Sequence, residues 1–403
     1  MAELLPLVRT IRPDRSTRRP GRLRVLVVAE SFLPQVNGVT NSVRRVLEHL
    51  AAEGHEAELV APTGPDTYAG FRVRHARGAH LPFYKDFKIG LETRRRLRAT
   101  MLRFRPDVVH IASPATLGYQ AARAAGELGV PTVAIYQTDL VGFAERYDLP
   151  GGARAAAALT RRIHTRVDRT LAPSRASLGQ LAELDVPGTA LWPRGVDLEQ
   201  FHPARRDDAL RARLLGPRGA DGDPDRLLVG YVGRLAPEKE LDLLTVLAAD
   251  PRHALVVVGG GPEEQRLRAL LPGAQFLGTL HGDELGAVYA SLDVFVHTGR
   301  HETYCQSAQE ALASGVPVVA PRQGGPIDVV DDGTAGFLYR PGDRADLATY
   351  VDLLATQPVL RRRMAGAARR SVEGRSWARV NATLVEHYRD VIDVRSGDTA
   401  LAG

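Results

Sequence analysis

The chain has 403 residues, enough for two or three domains each with its own core, and its single cysteine, Cys305, rules out an internal disulfide and any cysteine metal cluster. No apolar segment reaches the ~20 residues that span a bilayer, and the first 22 residues carry six arginines without an apolar stretch, so neither a membrane span nor a secretory signal is expected. The net charge is +6, but residues 1–200 carry +9 and the remainder −3, which points to an anionic partner for the first half. Residues 1–22 read as a flexible basic tail, and the lone cysteine favours the reducing cytoplasm.

From Leu23 to Ala29 runs a continuous apolar segment, as expected of a parallel strand covered on both faces. The loop Glu30–Gly38 leads into a helical pattern from Val39 to Leu50, with Thr40 and Asn41 in its first turn. Asn37-Gly38 suits the left-handed backbone of a tight strand-to-helix turn, and the plain reading is such a turn without a ligand. Strand and helix patterns then alternate over 56–61, 106–111, 115–128, 131–136, 169–172 and 174–183, which favours a doubly wound parallel sheet. No GxGxxG follows the first strand, which argues against a nicotinamide enzyme. His110, at a strand terminus, reads as a satisfied histidine and only secondarily as a site residue.

Within this half, residues 93–106 place Arg94, Arg95, Arg96, Arg98, Arg103 and Arg105 around an apolar stripe of Leu97, Met101 and Leu102 or Phe104. A second basic segment spans Arg154–Arg169. Both are readable as solvated helix faces, or as a patch for anionic lipid, where each cation adds about 1 kcal/mol.

Pro193, Gly195 and Pro203 interrupt regular structure and mark an interdomain linker. The Asp-x-Asp spacing in the loop 216–225 lies among Gly and Pro before a strand, not at a strand's carboxyl end, so no metal site is expected there or elsewhere. The strand Leu227–Val232 then ends in Gly233 and Arg234, with Lys239 entering the next helix and Glu238 placed to orient it. A guanidinium fork and an ammonium at one strand end suit a diphosphate. Gly259-Gly260-Gly261 forms the next strand-to-helix turn, and the loop 276–285 contains Leu280. The apolar run Leu292–Val296 feeds a polar loop with Glu302, a helix carrying Gln306 and Glu310 on one face, a stop at Gly315, and the strand Val316–Ala320. A helix opened at a strand's carboxyl end offers backbone amides to a phosphate, here those of Tyr304, Cys305, Gln306 and Ser307. Glu302 and Glu310 fall at its rim, placed to accept hydrogen bonds from sugar hydroxyls; the spacing alone fits two solvated carboxylates equally well.

The pair Glu302–Glu310 with the trailing SGVPVVA resembles the nucleotide-sugar signature of the retaining glycosyltransferases of family 4. The wording ETYCQSAQEALASGVPVVAPRQGGP is similar to actinobacterial mannosyltransferases that extend membrane glycolipids from GDP-mannose, and the resemblance covers residues 23 to 390. It implies the GT-B fold: an α/β protein of two Rossmann-like, doubly wound parallel-sheet domains, 23–195 and 196–375, facing a central cleft, with the helix 376–403 crossing back to the first. It also implies a metal-independent, cofactor-free, retaining hexosyl transfer with no enzyme nucleophile, and a location in the cytoplasm or peripheral on the inner face of the membrane.

By the same resemblance, the amides at Gly38 face the donor diphosphate, although Asn37 replaces one glycine of the usual pair. Gly233, Arg234 and Lys239 would hold the departing diphosphate, Gly260 would lie beside the nucleoside, and Leu280 would lie in the loop that reads the base. Glu302 would hold sugar hydroxyls with the backbone of Thr303, Tyr304, Cys305 and Gln306, and Glu310 the ribose. Gln137 stands where many relatives carry a histidine on the donor sugar. Asp139, two residues on, is the candidate for a donor-sugar or acceptor contact, or else a capping aspartate. Arg194 stands where asparagine is common. Three alternatives stay open: a UDP-sugar enzyme with a soluble acceptor, a nucleotide-sugar epimerase, and a basic nucleic-acid-binding protein. The last is opposed by an aromatic content of only 6% and by the lack of any nucleic-acid module.

Overall fold

The structure, a computed structural model, describes residues 21–35, 37–81, 84–113, 115–137, 139, 142, 152–216 and 226–401. Most of the expected basic tail and nearly all of the Asp-x-Asp loop lie outside the described residues. The chain divides into two compact units, one of residues up to Pro193 together with the segment from Val380, the other Arg194–Arg379.

In the first unit the strands are β1 (Arg24–Val28), β2 (Glu56–Ala61), β3 (Thr67–Tyr68), β4 (Phe71–His75), β5 (Gly78–Leu81), β6 (Tyr84–Gly90), β7 (Val108–Ile111), β8 (Thr132–Ile135), β9 (Arg169–Ala172) and β10 (Thr189–Leu191). Eight of them form one sheet in the order β10-β9-β8-β7-β1-β2-β4-β3, parallel except for β3 against β4, while β5 and β6 pair as a separate antiparallel hairpin. The central strand β1 is flanked by β2 and β7, with Val27 in register with both Leu59 and His110. Its apolar run without alternation is what burial on both faces requires. The direction of winding reverses between β1 and β7, so the loops after these two strands diverge and leave a crevice at their carboxyl ends.

The first helix spans Gly38–Ala52 and buries Val43, Val46, Leu47 and Leu50 against β1. Its start corrects the sequence reading. Asn37 is extended, with φ −149°, and Gly38 is an ordinary first helical residue. Asn37 caps the helix instead, its side-chain oxygen accepting from the Thr40 amide at 2.9 Å.

The same core is completed from the far end of the chain. The helix Trp377–Leu401 sends Val380, Leu384, Val385, Tyr388, Val391 and Ile392 into it, at the three- and four-residue steps of one helix face. Trp192 Nε1 donates to the Val380 carbonyl at 3.0 Å, and the Tyr388 hydroxyl meets His110 Nδ1 at 2.7 Å. His110 is therefore the satisfied histidine its strand-end position suggested.

The second unit holds β11 (Leu227–Val232), β12 (His253–Val258), β13 (Gln275–Gly278), β14 (Val294–Val296), β15 (Val318–Pro321) and β16 (Gly336–Tyr339). They form an all-parallel sheet in the order β13-β12-β11-β14-β15-β16. Every residue of β11, β12 and β14 is buried. Here the winding reverses between β11 and β14.

Candidate functional site

Of the residues singled out in the second half, Arg234, Lys239 and Glu302 lie at that reversal, on the loops that leave the carboxyl ends of β11 and β14. Open α/β sheets bind ligands at such points. Lys239 ends a short 3-10 turn, Pro237–Lys239, rather than entering a helix. Two side chains from the β14 loop fix this turn: Thr298 Oγ1 donates to the Lys239 carbonyl at 2.5 Å, and Arg300 Nε holds the Glu240 carboxylate at 2.6 and 2.9 Å.

Lys239 Nζ lies 2.5 Å from Glu302 Oε1, and His297 Nε2 lies 3.2 Å from the same oxygen. All three side chains are largely withdrawn from solvent, His297 being 2% exposed. Burial alone would raise the Glu302 carboxyl, but Lys239 and His297 together hold it well below its ordinary value. For Lys239 burial works against the charge, and Glu302 overcomes it and raises the ammonium. His297 behaves alike: burial disfavours the imidazolium, yet Cys305 and Glu302 raise it. The cluster is thus two cations sharing one carboxylate. Glu238, expected to orient Lys239, stands 3.9 Å from Arg234, while the close contact to Lys239 is made by Glu302.

The surrounding loops hold the cluster by close backbone approach. A side chain at Gly259, where φ is +132°, would collide with the Gly233 carbonyl, and one at Gly261 with the Leu235 carbonyl. The turn after β12 therefore packs directly on the loop that carries Arg234 and Lys239. At Gly324, with φ +67°, a Cβ would stand 2.7 Å from the Glu302 carbonyl, which also accepts from the Gly325 amide at 2.8 Å.

Beyond Glu302, Thr303 is half-buried and Tyr304 buried. Cys305, with φ +80°, is the N-cap of the helix Gln306–Ala313, and its side chain makes no capping hydrogen bond. The Tyr304 hydroxyl and Gln309 Nε2 donate to the Arg194 carbonyl at 3.3 and 3.0 Å, and Gln306 Nε2 donates to the Gly195 carbonyl at 3.0 Å. The side chains of Tyr304 and Gln306 thus anchor the helix start, which leaves to their backbone any contact with an anion. Arg194 itself is buried, and burial lowers its guanidinium to about 10. Glu310 accepts from the buried Tyr289 hydroxyl at 3.1 Å. Gly260 faces Thr279, and Leu280 packs partly against the core.

In the first unit, Gly38 has open space where a side chain would be. Gln137, after β8, donates to the Ala112 carbonyl that follows β7. Asp139 accepts from the Gly142 amide at 2.8 Å and from Gln180 Nε2 at 3.2 Å, the behaviour of the capping aspartate in the plain reading. The sequence reading missed Glu30. This buried carboxylate accepts from the Leu117, Gly118 and Gly90 amides at 2.6, 3.2 and 3.3 Å and from the Thr116 hydroxyl at 3.4 Å. It caps the helix Thr116–Leu128, which has no cap from its own Ala115. Burial pushes its carboxyl up to about 7, against those four donors.

Outside the site, Asp250, His253 and Asp352 bring ligand-type atoms within 4.8 Å of one another. They lie at the amino end of β12, opposite the site, and Arg252 already bridges the two carboxylates at 2.5 and 2.9 Å.

Known proteins agree with this architecture. The family model Glycosyltransferase Family 4 matches residues 36–200, and Glycosyl transferases group 1 matches residues 220–371. The chain is 48% identical over 385 residues to a GDP-mannose-dependent alpha-mannosyltransferase of Mycobacterium tuberculosis, covering 94% of this chain and 99% of that one. It is 27% identical to a GDP-mannose-dependent alpha-(1-6)-phosphatidylinositol dimannoside mannosyltransferase of the same species, over 94% of this chain and 99% of that one. Among solved structures, a sucrose-phosphate synthase from Thermosynechococcus elongatus aligns with a TM-score of 0.77 at 20% identity, covering 93% of this chain and all of the other, and shares the GT-B fold. The chain belongs to glycosyltransferase family 4 and is a glycosyltransferase of the GT-B fold.

Proposed function

We propose that the protein is a retaining, metal-independent mannosyltransferase that moves mannose from GDP-mannose to a membrane glycolipid. The observation that carries this reading is the shared carboxylate, Glu302, held between Lys239 and His297 beside a helix start that its N-cap, Cys305, does not cap with its side chain. The identity to a GDP-mannose-dependent relative over nearly the whole of both chains supports the donor.

In this reading the bond from mannose C1 to the β-phosphate oxygen breaks, and a bond from C1 to the acceptor hydroxyl oxygen forms on the same face. The acceptor's proton passes to the departing phosphate oxygen. Charge that grows on the diphosphate is met by Arg234, Lys239 and the amides around Cys305, as electrostatic stabilisation. The free oxygen of Glu302 takes sugar hydroxyls, and Glu310 takes the ribose.

A membrane acceptor fits the basic face of the first unit. The helix Arg94–Phe104 buries Leu97 and Met101 and exposes Leu102, 37% accessible, while Leu91 just before it is 53% accessible. Arg94, Arg95, Arg98 and Arg123, with Glu92 and Glu127 among them, line a groove of about 1200 Å³ beside it. Three guanidinium groups crowd one ring: Arg123, Arg162 and Arg166 lie 5.8, 5.1 and 5.6 Å from the Tyr119 centroid. Cations with exposed leucines among them suit an anionic lipid surface. Among the described residues no helix is long and apolar enough to cross a membrane.

A thermal-shift panel with GDP, UDP, ADP, GDP-mannose and UDP-glucose tests the donor. A ligand at a hundred times its Kd adds about 2.7 kcal/mol to the folded state. GDP and GDP-mannose are expected to raise the melting point selectively; a rise with uridine nucleotides alone discards the donor. Vesicle sedimentation tests the acceptor side, and equal binding to neutral and anionic vesicles would remove the membrane.

A further inference from the structure

The second unit contains a buried titratable group that the transfer reaction, as drawn above, does not use directly. His297 follows β14, its amide donating to the Val319 carbonyl at 2.9 Å and its carbonyl accepting from the Tyr339 hydroxyl at 3.2 Å, so its backbone is fixed in the sheet. Its ring stacks on that of Tyr231, at 6.2 Å between centroids and 16° between planes, and Tyr231 in turn donates to the Arg234 carbonyl at 3.1 Å. The neighbouring Gly299 leaves the room this needs, since a Cβ there would stand 3.3 Å from His297 Nε2. A position this buried, at the end of an apolar strand, is filled as well by leucine for packing. The imidazole adds something packing does not need: its Nε2 stands 3.2 Å from the carboxylate oxygen that also holds Lys239, a charge contact without hydrogen-bond geometry.

We propose that His297 is a positioning residue, whose buried imidazole fixes the Glu302 carboxylate between itself and Lys239 and thereby places both for the donor's sugar and diphosphate. This rests on the reading of that cluster as the donor site. With one oxygen of Glu302 bonded to Lys239 and in contact with His297, the second oxygen is left in one orientation for a sugar hydroxyl. Without His297, Glu302 would be free to swing with Lys239, and geometry errors of about 1 Å in such groups cost on the order of a hundredfold in rate. Retention of the proton by His297 fits this role: two cations and one carboxylate leave a net positive cluster to face a diphosphate.

The test compares His297→Leu, which keeps bulk and removes the polar contact, with His297→Gln, whose amide restores a neutral polar group near the Nε2 position. GDP release from GDP-mannose gives kcat and KM, calorimetry gives the affinity for GDP, and the melting point checks folding. His297→Leu is expected to lower kcat at least tenfold with GDP affinity changed less than threefold, and His297→Gln to recover most of that loss. Wild-type kcat in both variants, or equal losses of activity and melting point in both, overturns the proposal. If His297→Leu does not fold, the Gln variant alone decides, since kcat within threefold of wild type with GDP affinity retained is required. Lys239→Met run alongside separates the two levels: if it too leaves kcat unchanged, the donor-site reading has failed, whereas its loss beside normal His297 variants sinks only the role of His297.

Discussion

At the scale of single residues, the site couples function to stability, and this decides which substitutions are informative. Glu310 accepts from a buried tyrosine hydroxyl, so truncating it to alanine would orphan Tyr289 at about 1–3 kcal/mol and blur the kinetic result. Glu310→Gln keeps an acceptor and is the cleaner probe. It should raise KM for the donor several-fold with kcat nearly constant, whereas Arg234→Ala should lower kcat with a smaller change in KM. Steady-state kinetics with GDP-mannose checks both, and an unchanged kcat for Arg234→Ala would remove that residue from the leaving-group role. Lys239→Met is expected to do more, because it leaves Glu302 with one cation instead of two in a largely buried setting. Breaking a buried pair costs about 3–5 kcal/mol, so its melting point should fall along with its turnover.

At the scale of elements, two features place the loops. The turn after β12 lies on the loop after β11 with no room for a side chain at Gly259. Gly259→Ala should therefore cost about 2 kcal/mol or more in chemical denaturation, from the positive φ and the collision together, and should disturb Arg234 and Lys239 through their loop. A substitution that left both stability and turnover intact would contradict this packing. In the first unit, Glu30 joins β1, the end of β6 and the start of the helix Thr116–Leu128. Its folded carboxyl is raised to about 7 from 4.5, so the protonated form is the one the fold favours. That contribution is fully present below about pH 4.5 and is lost as pH rises through about 7, on the order of 3 kcal/mol at 1.4 kcal/mol per unit. Denaturation of wild type against Glu30→Gln from pH 4 to 9 should show the variant gaining relative stability across that window. A difference independent of pH would refute it.

For the whole molecule, the first unit depends on a segment that arrives after the second unit is complete. Six side chains of the helix Trp377–Leu401 enter the first unit's core. At 1.5–3 kcal/mol for each, their burial contributes about 10 kcal/mol, comparable to the net stability of a whole domain. A chain ending at Arg379 should accordingly lose amide protection at β1 and β7 in hydrogen exchange. Full protection in the truncated chain would show that the core closes without the helix.

Sequence by itself determined the two parallel sheets, because long apolar runs such as Val25–Val28 and Leu227–Val232 separated by helical periods have few other ways to hide both faces. It also marked Arg234, Lys239, Glu302 and Glu310, whose spacing carries the family likeness. Where local chemistry had two solutions, as at Asn37-Gly38, sequence did not choose, and a side-chain cap took the place of a left-handed turn. Only tertiary structure decided the partners: Lys239 meets Glu302 across 63 residues, and Trp192 meets Val380 across 188. Periodicity reports which face of an element is buried, but the order in which strands join the sheet decides what lies beside it. For that reason His297 and Glu30, each at the end of an apolar strand, gave no local sign that their side chains would bind a carboxylate and a helix start.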